Sequence, residues 1–199
     1  MLRRPPTPPG TPPSGAARDG FVFRAGRLAL DFTATLAGRK RATPRDRLAA
    51  PEDLGRWFVA AGLASRAPRV TEADLASARA LREALYRLAR AALEGDAYPA
   101  KDLALANRWA AQPPPVPQLG PEGLTWRAAA TAALLAAVAR DGLELLGGPS
   151  AAGLRACEGE GCALLFLDTS RGGRRRWCAM AACGNREKVG AFRLRQREG

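Results

Sequence analysis

Histidine is missing from this chain altogether, which removes the commonest acid–base catalyst. No apolar run reaches the roughly 18 residues that a membrane-spanning helix needs. Arg3 and Arg4 are followed by no apolar segment of the kind a secretory signal carries. These absences predict a cytoplasmic protein with no membrane partner. Cysteine is scarce and late, with all 4 residues between positions 157 and 183. In a chain without an export signal, thiols in short-spaced pairs read as metal ligands rather than disulfides. β-Branched residues are few beside Ala and Leu, which favours helix over sheet. Paired catalytic carboxylates, a phosphate-cradling glycine loop and a nucleophile motif are lacking too, so no enzyme is expected.

The excess is in arginine. With 199 residues and a net charge of +12, the chain has room for one moderate domain and a small appendage. A field of that sign suits polyanions, nucleic acid before an acidic membrane surface. Ala, Gly, Pro and Arg running high together also fit a GC-rich coding bias. The position of the charge therefore decides more than its total.

Residues 1–20 hold 6 of the 16 prolines and little that could pack, the composition of a disordered leader. Between residues 21 and 150 the pattern predicts a helical domain. Leu28, Leu30, Phe32 and Leu36 fit strand or helix and precede a basic loop, Arg39-Lys40-Arg41. Pro51-Glu52-Asp53 opens a helix that stops at Gly62. Thr71-Glu72-Ala73-Asp74 is a capping-box-like start for a helix that Gly95 ends. Another helix begins at Pro99. A small β-hairpin joins residues 116–119 to 124–127, and a last helix covers about 128–146. The apolar stripes on these elements read as core. Residues 147–153, Gly-Gly-Pro-Ser-Ala-Ala-Gly, read as a hinge, so residues 21–150 are expected to fold alone.

Residues 151–199 form a separate module. Its cysteines are spaced C-x(4)-C, fifteen residues, C-x(4)-C. Two such pairs supply the four tetrahedral thiolates that zinc prefers, and iron in a four-thiolate site fits as well. Four thiolates close the coordination sphere, so the metal holds the fold and offers no catalytic position. Residues 163–167 read as a strand and residues 174–177 as its returning partner. Cys183 then falls at the start of a helix. That order of knuckle, hairpin, ligand pair and helix is that of a treble-clef-like finger.

The module carries ten basic and five acidic residues over positions 155–199. Candidate nucleic-acid contacts are Arg174, Arg175, Arg176, Asn185, Arg186, Lys188, Arg193 and Arg197. Arg186, Arg193 and Arg197 fall within about 40° on a helical wheel. Val189, Phe192 and Gln196 lie on the adjacent face, able to pack on the hairpin and on Trp177. Arginines here suit phosphates or guanine edges, and a solvated charged face is the plain alternative. Asn185 reads as a helix cap or a base contact, the cap preferred.

These residues carry a resemblance. The run from Cys178 to Arg186, with Phe166-Leu167-Asp168 and Arg175-Arg176-Trp177 before it, resembles the CGNR zinc-finger family. Leu28-Ala29-Leu30-Asp31-Phe32, Pro51-Glu52-Asp53-Leu54 and Ala61-Gly62-Leu63 resemble the ABATE domain that precedes such fingers. The resemblance implies one structural zinc on Cys157, Cys162, Cys178 and Cys183, and nucleic-acid binding by the finger. The family's members are regarded as stress-linked bacterial transcription regulators. DNA is then the expected partner ahead of RNA, and a small-molecule effector would act on the helical domain. An adaptor with purely structural zinc is a further alternative. One departure is Ala34, where the family usually carries Asn.

Overall fold

The computed structural model describes residues 16–121, 123–127, 130–189 and 196. The chain enters through a hairpin, β1 (Ala16–Arg18) paired with β2 (Phe21–Phe23). Asp19 and Gly20 both have positive φ, the backbone a two-residue hairpin turn demands. The leader expected over residues 1–20 thus overlaps a paired strand at its end, because Phe21 and Phe23 bury their rings in the core. Residues 1–15 lie outside the described part.

α1 (Leu28–Thr33) is short and almost wholly buried. A second small pair follows, β3 (Leu36–Ala37) with β4 (Arg45–Asp46). α2 (Pro51–Ala60) starts at its proline, and the Asp53 carboxylate accepts the N–H groups of Ala49 and Ala50 at 2.8 and 2.9 Å. α3 (Glu72–Glu94) is capped as its sequence predicts: Asp74 N–H donates to Thr71 Oγ1, and Asp74 Oδ2 accepts Thr71 N–H. Gly95 ends α3 in the left-handed conformation that glycine adopts without strain. α4 (Ala100–Ala110), the hairpin β5 (Val116–Gly120) with β6 (Gly123–Arg127), and α5 (Thr131–Gly147) complete the domain.

α1, α4 and α5 pack around α3. Trp57 of α2 is fully buried, with the Phe32 ring 4.8 Å from its own. An ion pair and a buried carboxyl tie the small strands and the loop after β2 to this core. Arg82 of α3 grips Asp46 of β4 with two bonds of 2.6 and 2.9 Å. Asp31 Oδ1 accepts the N–H groups of Arg24 and Ala25, both at 2.9 Å. Burial pushes the Asp31 carboxyl up to about 7 against those two hydrogen bonds.

The C-terminal part departs from expectation in two places. A strand does form at β8 (Leu165–Leu167), but its partner is β7 (Leu154–Ala156), upstream of the first cysteine. Residues 174–177 have no strand structure. Leu154 and Leu165 bury apolar side chains, whereas three consecutive arginines have no apolar face to lay on a sheet. The expected hinge is also replaced. Pro149–Gly153 is a turn of 3-10 helix, and the module shares a core with the helices. Ala25, Leu30, Ala89 and Leu145 cluster with Leu154, Leu165, Phe166 and three of the cysteines. The helices leave an apolar face there, and β7 and β8 cover it.

Candidate metal centre

The first cysteine pair sits at the tip of the β7–β8 hairpin. Cys157 N–H donates to Leu164 O at 2.8 Å and extends the ladder, while Cys162 N–H closes a turn onto Gly159 O at 3.0 Å. Gly159 has to be glycine for lack of space. A Cβ there would stand 2.7 Å from Cys183 Cβ and 3.0 Å from its Sγ. The second pair encloses a tight π-helical turn, Met180–Gly184, in which Cys183 and Gly184 N–H both reach Ala179 O. That turn carries Cys183 Sγ back to 3.7 Å from Cys178 Sγ, and Cys162 Sγ lies 3.8 Å from Cys178 Sγ on the other side.

All four sulfurs lie within 4.8 Å of one another, and no pair is bonded. Tetrahedral zinc with bonds of about 2.3 Å places its sulfurs about 3.8 Å apart, so the donor set fits the ion in number, chemistry and spacing. Without a cation the four thiols cannot all ionise. Hydrogen bonds from Cys162 and Cys178 hold Cys157 far below the usual thiol range. The bond with Cys157 pushes Cys162 up to about 11, and sulfur hydrogen bonds with burial push Cys178 higher still. One thiolate suppresses the ionisation of its neighbours, so four thiolates this close would need a cation between them.

Two further donors serve the sulfurs. Cys178 N–H donates to Cys157 Sγ at 3.2 Å, and Arg186 Nη2 stands 3.1 Å from Cys183 Sγ. That sulfur holds the Arg186 guanidinium above its ordinary range. Arg186 therefore offsets part of the negative charge of a four-thiolate zinc site, a role its sequence position did not reveal.

The other basic candidates divide. Arg174, Arg176, Arg186 and Lys188 are exposed, as is Asn185. Arg176 pairs with Glu158 at 2.6 Å and covers the Trp177 ring. Arg175 turns inward: its guanidinium lies 4.4 Å from the Phe166 ring and donates to Trp177 O, Cys178 O and Arg24 O. Asn185 has helical backbone angles where an N-cap has extended ones, and the π-turn runs on into it, so it is no N-cap. Residues 185–189 are helical, and Val189 is 48% exposed rather than packed on the hairpin. Arg193, Arg197 and Phe192 lie outside the described residues.

Among the described residues, no helix is long and apolar enough to cross a membrane. No curated protein matches the chain. Two family models do match. The ABATE model, described as "Putative stress-induced transcription regulator", matches residues 26–149, and the CGNR zinc-finger model matches residues 154–196. The second match contains all four cysteines, so the cluster is a site for one zinc ion. The chain belongs to the ABATE family and ends in a CGNR zinc finger.

Proposed function

We propose that this protein is a cytoplasmic, DNA-binding transcription regulator in which zinc is structural and the finger makes the nucleic-acid contacts. The observation that carries the reading is the exposed basic set around the zinc turn: Arg174, Arg176, Arg186 and Lys188. They stand on a finger that follows a domain whose family is described in terms of transcription regulation. Arg193 and Arg197 extend this set in the sequence. The basic residues divide the labour by position. Arg174 and Lys188, which make no ion pair among the described residues, are placed to meet phosphates, which position a protein on nucleic acid without reading sequence. Arg186 is committed in part to Cys183. A regulator rather than an enzyme is supported by the lack of histidine and by a site whose four positions are filled by sulfur.

The test is a titration of labelled duplex DNA and structured RNA by fluorescence anisotropy across salt concentrations. Four to six phosphate contacts give a log–log salt slope of about −4 to −5. Arg174→Ala and Lys188→Ala are each expected to flatten it by about one. Tighter binding to RNA than to any duplex would move the reading to an RNA-associated finger, since an A-form major groove does not admit a helix. Salt-insensitive behaviour, or none of either nucleic acid bound, would leave the adaptor reading.

A further inference from the structure

Seven arginines of the helical domain are neutralised. Arg27, Arg39, Arg56, Arg79, Arg82, Arg87 and Arg90 each make an ion pair with a carboxylate. Five others behave differently. Arg24, Arg41, Arg45 and Arg47 line a cleft of about 260 Å³ together with Arg186 of the zinc module. None of these five makes an ion pair with a carboxylate among the described residues, and the lining of the cleft contains no acid.

The convergence is built by the fold. Arg45 and Arg47 flank Asp46, which Arg82 fixes from the core. Arg41 lies across the zinc knuckle: a Cβ on Gly161 would stand 2.8 Å from Arg41 Cγ, and one on Gly38 would stand 3.0 Å from Arg41 Cδ. Arg24 Nε is buried with no hydrogen-bond partner among the described residues. Burial, then the nearness of Arg45 and Arg24, lowers Arg47 from its ordinary range. The five guanidiniums repel one another, and the sulfurs of Cys162, Cys178 and Cys183 in the lining, which belong to a zinc site of about two net negative charges, offset only part of that. The positive charge that remains suits an anion from outside the chain.

We propose that this cleft is a binding site for a phosphate-bearing anion, gripped by Arg24, Arg41, Arg45, Arg47 and Arg186. Guanidinium is the side chain whose planar fork matches phosphate oxygens in pairs. The volume lies just below the usual range for ligand sites, so the cleft takes one or two phosphate groups and little else. Those groups have two chemical sources, a small phosphorylated molecule or the backbone of a nucleic acid lying beside the finger. The walls come from both the ABATE part and the zinc module, so an occupant touches both. The inference stands apart from sequence recognition by the finger and holds if that reading fails.

The experiment is calorimetric titration of the zinc-loaded full chain with pyrophosphate, a nucleoside diphosphate and citrate at constant ionic strength. Both phosphates are expected to bind, and Arg41→Ala and Arg45→Ala are each expected to weaken them about tenfold. Both residues are exposed and outside the core, so these variants should fold, and circular dichroism checks it. Arg108→Ala, exposed on α4 away from the cleft, is the control and should bind like the parent. A repeat in the presence of saturating duplex DNA separates the sources. Simultaneous binding assigns a small-molecule site, and mutual exclusion assigns a backbone-phosphate site. The proposal is overturned if neither phosphate binds, if both arginine variants bind unchanged, or if citrate binds and pyrophosphate does not.

Discussion

Leu167 donates its backbone N–H to Ala25 O at 2.7 Å, joining the last strand of the zinc module to the loop that leads into α1. Nearby, Tyr86 of α3 reaches Ala163 O, and Arg175 reaches Arg24 O. The finger is thus welded to the helices, with Leu30, Ala89 and Leu145 beneath it. A chain cut after residue 150 would expose that face. We expect such a fragment to lose several kcal/mol, at about 25 cal/mol per Å² of uncovered apolar surface, and to bind a hydrophobic dye. Thermal unfolding checks this, and an unchanged Tm would restore the hinge.

Because the core is shared, losing the metal should be felt by the whole chain. Cys178→Ser removes the sulfur that stands at 3.7–3.8 Å from two of the other three. Zinc content should fall well below one per chain, and the Tm of the helical signal should drop by roughly 10 °C or more. Separate transitions for helix and finger, with the helical one unmoved, would contradict the shared core.

Space at the knuckle gives a sharper probe. Gly159→Ala places a methyl against Cys183 Cβ and Sγ, so zinc affinity should fall although every ligand remains. Gly147→Ala, at the end of α5 with open space around it, should be neutral or stabilising by up to about 1 kcal/mol. Competition with a chromophoric chelator measures both. Equal affinities in the two variants would contradict the packing at Gly159.

Stability should also depend on pH through Asp31. Burial raises its folded pKa to about 7, against about 3.9 in an unfolded chain. The folded state then holds the proton more tightly, so this contribution is full below about pH 4 and is lost as pH rises through 7. The change is on the order of 4 kcal/mol. Asp31→Asn keeps an oxygen for the N–H groups of Arg24 and Ala25 and removes the charge. Its Tm should vary less between pH 5 and 8, with the residual slope from Asp141, which burial also raises. A parent Tm that climbs over this range would contradict the assignment.

Much of this architecture was legible in local sequence. Thr71 with Asp74, Pro51 and Gly95 mark helix ends through backbone chemistry that acts within four residues. The cysteine spacing named the metal site because each pair closes its own turn. What stayed hidden depends on distant partners. The strand partner of residues 165–167 is β7 because both cover the helices, and no local pattern ranks that above residues 174–177. Arg175 looked like its neighbours, yet Phe166 and the Arg24 carbonyl turn it inward. Arg24, Arg41, Arg45 and Arg47 are unremarkable in a chain with 31 basic residues. Only the fold distinguishes them from the arginines that found carboxylates.

Cys157, Cys162, Cys178 and Cys183 together hold one zinc ion where finger and helices meet. X-ray absorption at the zinc edge, on the full chain purified under reducing conditions, tests it most directly. The expected result is one zinc per chain, surrounded by four sulfurs at about 2.3 Å and no nitrogen or oxygen neighbour. A zinc shell containing oxygen or nitrogen, a different metal, or metal-free protein with its thiols intact would contradict it.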